Sequence, residues 1–214
     1  MNNNIHKKYQ EWVSYILESF IKLYDKETWL HVKRIKLYSK EIAIELKCSN
    51  RLTSEISLFS SLHDLGKIFI SKKILNKNKR LTEEEFDQMK KHSLYGGEIL
   101  SCLGFGEVAK NIALYHHEHF NGNGYPEGLK MESIPLEARI VALVDVYDAL
   151  RQKRCYKNSF SHEEAIEIIK SQNGKQFDQK IVEALLQKRK KFNIIFEEML
   201  IENKKIGEIK VAVK

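Results

Sequence analysis

Two prolines in 214 residues, Pro126 and Pro135, leave long stretches of this chain free to run as uninterrupted helix. Apolar residues recur at helical spacing between the loop signals. The pattern predicts helices over Tyr9–Tyr24, through Trp12, Ile16, Phe20 and Leu23, and over Lys26–Leu46, through Leu30, Ile35 and Ile42. A third is expected over Thr53–His63, followed by a Lys/Asn-rich loop to Arg80. Thr82 with Glu85 forms a capping-box pattern opening a helix to Cys102, which stops at Gly104 and Gly106. Further helices are expected over Val108–His119, Glu137–Leu150, from Ser161 with Glu164 towards Gly174, and over Gln179–Met199. The segment NGNGYPEGLK at 121–130 reads as loop, and the closing IGEIKVAVK as either strand or frayed tail. The class is all-α, with no repeat or interdomain linker.

Composition narrows the function. A chain of this length with 43% hydrophobic and 30% charged residues can bury one sizeable core and is too apolar for general disorder. The net charge of +7 is spread along the chain without a nucleic-acid module signature, so a Lys-rich solvated surface with a local phosphate pocket is expected, and no DNA or RNA polymer. Cys48, Cys102 and Cys155 are odd in number and lack CxxC spacing, which argues against disulfides and zinc ribbons and for a cytoplasmic setting. The most apolar run, Ile140–Val146, is short and broken by Asp145, and the first ten residues hold no signal-peptide core, so no membrane span is expected.

His and Asp recur along the chain at His31, His63-Asp64, His92, His116-His117 and Asp145, each on or at the end of a different expected helix. Helical bundles build metal sites by pointing imidazoles and carboxylates inward from several helices. Adjacent residues on a regular helix diverge by about 100°, so neither neighbouring pair fits one small ion comfortably. Two ions bridged by Asp64 relieve that conflict, and seven donors exceed the four of a structural zinc site. His6, His119 and His162 are read as ordinary surface or hydrogen-bonded histidines.

HDLGK at 63–67, LTEEEFDQMKKHSLYGGEIL at 81–100, HHEHFNGNGYPEGL at 116–129 and IPLEARIVALVDVYDAL at 134–150 agree in order and spacing with one family. Over about Lys26 to Asp178 the chain resembles the HD-GYP family of cyclic di-GMP phosphodiesterases, within the HD superfamily. The resemblance implies a helical bundle with a metal site in its core. It implies His31, His63, Asp64, His92, His116, His117 and Asp145 as ligands, with Asp64 bridging. Glu27, one turn before His31, stands where some members hold a third metal. Lys67 matches the lysine on the scissile phosphate, and Arg154 and Lys157 match cations on the outer phosphate. Gly122, Gly124, Tyr125 and Pro126 form the loop beside the substrate, which is also a candidate contact for protein partners. Asp148 and Arg139 fit the pattern but read as structural, Arg139 as an ion-pair partner. Asn121, Phe69, Ser71 and Cys155 depart from the pattern without removing a ligand, and put base preference in doubt.

The implied reaction is in-line attack of a metal-bridging hydroxide on phosphorus, with Asp64 and Lys67 in the catalytic machinery, yielding linear pGpG and then GMP. His and carboxylate donors favour two or three ions of iron or manganese over zinc. A phosphohydrolase for another nucleotide such as cyclic GMP-AMP, or a non-hydrolytic sensor of cyclic dinucleotides, are the alternatives. The expected division is an N-terminal helical segment at 1–25, a catalytic domain at 26–190 and a C-terminal helix end and tail at 191–214. The first helix either packs on the domain or mediates a homodimer.

Overall fold

The computed structural model describes residues 3–24, 28–152 and 159–212. Its helices are α1 (Asn3–Tyr24), α2 (Thr28–Glu45), α3 (Asn50–Phe59), α4 (Lys72–Leu75), α5 (Glu83–Cys102), α6 (Glu107–Tyr115), α7 (Leu136–Arg151), α8 (His162–Ser171) and α9 (Gln179–Ala212). Short 3-10 turns occupy Ser60–Leu62, Leu65–Phe69 and Met131–Ser133. No strand occurs among the described residues, and none of the described helices is long and apolar enough to cross a membrane.

Both expected capping boxes form: Thr82 and Glu85 open α5, and Ser161 and Glu164 open α8, each satisfying two otherwise orphaned backbone N–H groups. The first helix starts at Asn3 rather than Tyr9, the short α4 falls within the expected loop, and other boundaries differ from the sequence pattern as well. The third helix begins at Asn50, because the Ser49 hydroxyl accepts a hydrogen bond from the Leu52 N–H, and it tightens into a 3-10 turn after Phe59. The helix expected to reach His119 ends at Tyr115. The last helix continues through the undecided tail to Ala212.

α7 is buried on nearly every side, through Ile140, Val141, Leu143, Val144 and Tyr147, as an all-round apolar helix requires. It joins two cores. One packs α2, α3, α7, α8 and α9 around Tyr38, Tyr147 and Phe192, whose rings lie 4.4–5.3 Å apart. The other packs Phe59, Leu62, Leu65, Leu100, Phe105 and Ile112 against Val141. Each fully buried side chain of this kind contributes about 1.5–3 kcal/mol. α1 lies on this second core through Val13 and Leu17, and its Gln10 Nε2 donates to the Phe105 carbonyl at 3.0 Å.

Candidate metal centre

The histidine and aspartate pairs escape the geometry of a regular helix. His63 caps the 3-10 turn after α3, with Asp64 following at φ −97°, and His116 caps α6 with His117 beyond its end. Their backbones have left the 100° progression, so neighbours can point to one place. The rings of His116 and His117 lie 4.1 Å apart, and both join Asp64 and His92 in a group whose donor atoms all lie within 4.8 Å of one another. His31, His63 and Asp145 form a second such group. The expectation that His116 and His117 could not serve one ion held only for a regular helix, and the helix end removes it.

Asp64 stands between the groups. Its Oδ1 is 3.4 Å from His92 Nε2 and 3.8 Å from His116 Nε2, while its Oδ2 is 3.3 Å from His63 Nε2. Asp145 Oδ1 is 3.6 Å from His31 Nε2 and 3.8 Å from His63 Nε2. Lys67, one turn after Asp64, brings Nζ to 2.5 Å from its Oδ2.

Four of the five rings are oriented from behind. His63 Nδ1 is 2.8 Å from the Ser60 carbonyl, His92 Nδ1 is 2.7 Å from that of Met89, and His116 Nδ1 is 3.0 Å from those of Ile112 and Ala113. His31 Nδ1 is 2.7 Å from Asp148 Oδ2. A carbonyl or carboxylate oxygen only accepts, so Nδ1 carries a proton in each of these rings and Nε2 is the atom turned towards the acidic oxygens. Four ring Nε2 atoms thus converge on two carboxylates at 3.3–3.8 Å. The buried His63 Nε2 and Asp64 Oδ1 make no hydrogen bond, an arrangement costing about 1–3 kcal/mol per atom unless a cation lies between them. These residues fit divalent metal.

The electrostatics agree. Burial holds His92 below its ordinary value, and burial with the neighbouring imidazoles drives His116 and His117 well below theirs, which favours the neutral ring that a metal needs. Burial opposes the charge on His63, but Asp64 and Asp145 outweigh it and raise the ring to about 9, so a proton takes a cation's place there. Against the cost of burial, Lys67, His63 and His92 hold the Asp64 carboxyl well below the usual range.

Asp148, read from sequence as merely structural, stands directly behind His31. It is fully buried and also accepts from Arg34 Nε at 2.5 Å, Arg34 Nη2 at 2.9 Å and the Gln152 amide. Arg139 pairs with Asp178 as expected. His162 meets the Tyr147 hydroxyl at 2.9 Å and His6 meets Gln10 at 3.2 Å, both apart from the metal donors. Glu127's backbone N–H and that of Gly128 donate to Glu118 Oε1 at 2.8 and 3.0 Å, tying the 122–128 loop to the end of α6. The sequence reading passed over Glu118, although its position after the histidine pair was a signal. In that loop the Tyr125 ring stacks on His117 at 4.7 Å, and a side chain on Gly124 would lie 2.2 Å from the His119 nitrogen. Glu27, Arg154 and Lys157 lie outside the described residues.

The HD domain family model matches residues 15–181. The cyclic di-GMP phosphodiesterase response regulator RpfG of Xanthomonas campestris is 39% identical over 189 residues, covering 87% of this chain and 50% of its own length. A cyclic di-GMP phosphodiesterase of Thermotoga maritima is 39% identical over 183 residues, covering 85% and 50%. A 3'3'-cGAMP-specific phosphodiesterase 2 of Vibrio cholerae is 39% identical over 175 residues, covering 81% and 34%. The chain therefore spans half or less of the length of these relatives. The solved HD domain of the L. monocytogenes phosphodiesterase PgpH shares the fold, with a TM-score of 0.57 at 19% identity over 84% of this chain and 98% of that one. Motifs, helical architecture and these likenesses agree: this chain belongs to the HD domain family.

Proposed function

We propose that the chain is a metal-dependent phosphodiesterase that opens cyclic di-GMP to pGpG, and then to GMP, in a catalytic unit at residues 26–190, with residues 1–25 and 191–214 as flanking helical segments. One observation carries the reading: the two Asp64 oxygens face two adjoining donor groups, one with His92, His116 and His117, the other with His31, His63 and Asp145. We assign these seven residues as ligands, with Asp64 bridging, and Glu27 as a candidate for a third ion. Iron or manganese suits the nitrogen and oxygen donors. When bound, such ions supply a nucleophilic water at neutral pH and neutralise phosphoryl oxygens.

The remaining work falls to the chain. Asp64 and Asp145 balance the charge at the centre, and carbonyl-held imidazoles fix where it sits. In this assignment Lys67 turns from Asp64 to the phosphate and stabilises charge on its oxygens. Burial, then the charges of Asp64 and Asp145, keep the Tyr125 phenol protonated, so it donates a hydrogen bond to the substrate beside Gly124 and Pro126. Arg154 and Lys157 are assigned to the outer phosphate on the motif alone. Protein partners at the 122–128 loop and a second copy of the chain belong to the same proposal.

Anaerobic incubation of the iron- or manganese-loaded chain with cyclic di-GMP tests this, with products separated chromatographically. The wild type is expected to release pGpG or GMP, and Asp64→Ala to lose at least about a thousandfold in rate. No turnover by protein shown to hold its metal sinks the reading. Equal identity to a relative named for 3'3'-cGAMP makes that mixed dinucleotide the second substrate to try.

A further inference from the structure

α1 is more apolar on its outer face than on the face it turns to the domain. Inward it presents Gln10, Val13, Ser14, Leu17 and Glu18, of which Ser14 is buried with an unpaired hydroxyl and Glu18 is buried against Lys36 at 2.9 Å. Outward it presents Ile5, Trp12, Tyr15 and Ile16, with Trp12 73%, Tyr15 64% and Ile5 60% exposed, and Tyr9 lies at the edge of this face, 41% exposed with its hydroxyl donating to the Leu103 carbonyl at 3.4 Å. A helix serving only as a lid on its own domain shows the reverse pattern. Ile5, Tyr9, Trp12 and Ile16 follow a 4-3-4 spacing, the seam by which one helix packs along another.

We propose that this face of α1 is the interface of a two-fold homodimer, with the α1 seams of two copies packed on each other. The area suits a second copy. With about 150–250 Å² per aromatic side chain, the exposed parts of these five offer roughly 500 Å² per copy. Two copies bring roughly 1,000 Å², the threshold of a specific interface. A patch used twice about a two-fold axis needs only to match itself, and a mainly apolar seam meets that condition. A membrane surface fits less well, because an interfacial helix carries Lys and Arg opposite its apolar face. Here the opposite face is spent on the domain, and among the described side chains of the outer face Lys8 is the sole cation.

Sedimentation velocity on the 214-residue chain tests the proposal. The wild type is expected to be dimeric at about 50 μM, and Trp12→Glu to weaken association at least about thirtyfold. The helical circular dichroism should stay unchanged, because Trp12 faces away from the core. Leu94→Glu, at an exposed apolar position on α5, should remain dimeric. Ile16→Glu is the second seam variant, should Trp12→Glu fail to fold. A monomeric wild type, or a folded seam variant that stays dimeric, overturns the proposal. So does a monomer that floats with anionic vesicles through Trp12.

Discussion

At the residue scale, the centre depends on how each imidazole is held. Three rings lean on backbone carbonyls, which no substitution removes. His31 leans on Asp148, which mutation can reach. Second-sphere carboxylates of this type affect metal affinity by about 10- to 100-fold. Asp148→Asn is therefore expected to weaken metal binding by that range in a titration, with helix content retained. It also strands the buried Arg34 guanidinium, so metal-free stability should fall by about 3 kcal/mol. The pH dependence has a fixed sign. Against the cost of burial, His31 and Arg34 pull Asp148 down to about 2 from an ordinary 3.8. A carboxyl depressed on folding stabilises above its unfolded value and loses that contribution as pH falls through the folded one. The wild-type advantage over Asp148→Asn in metal-free denaturant unfolding should thus shrink by about 2 kcal/mol between pH 4 and pH 2. An advantage that stays constant over that window contradicts the role given to Asp148.

At the scale of elements, the close approach of the Leu65–Phe69 turn to α5 decides where His92 stands. A β-carbon on Gly66 would lie 1.9 Å from the His92 carbonyl and 2.6 Å from the Gly96 nitrogen, so only glycine admits this contact. Gly66→Ala must push the turn off α5 and is expected to cost about 3 kcal/mol, read as a lower denaturant midpoint, and to weaken metal binding through His92. Much at this level was legible in the sequence. Capping boxes at Thr82 and Ser161 signal their own hydrogen bonds, and α7 announces itself through the Ile140–Val146 run, apolar but for Asp145. The candidate donors that the fold brings together were legible because His and Asp are scarce enough for their order along the chain to stand out. What was not legible depended on side-chain contacts that hydrophobic periodicity does not encode. Nothing local tells that α6 stops at Tyr115, where the His116 ring takes the carbonyls of Ile112 and Ala113. Asp148 likewise looks like a neighbour of Asp145 until folding sets it between α2 and α7, against His31 and Arg34.

For the whole molecule, the centre is also a junction. Its donors come from α2, the turn after α3, α5, the end of α6 and α7, so elements of both cores meet there. Without a cation the meeting point is an unfavourable convergence of lone pairs, relieved in part by the proton on His63. Because the unfolded chain has no such convergence, ions bind the folded state far better and stabilise it by mass action. One site at a hundredfold excess over its dissociation constant contributes about 2.7 kcal/mol. At about 2–4 °C per kcal/mol for a chain of this size, filling one site should raise Tm by roughly 5–10 °C, and filling a second should raise it further. Chelation should reverse the gain while leaving the helical circular dichroism intact, because the cores around Tyr38 and Phe105 contain no donor. Loss of helix on chelation contradicts this division of labour. A Tm indifferent to manganese contradicts the donor assignment itself, and does so without any measurement of turnover.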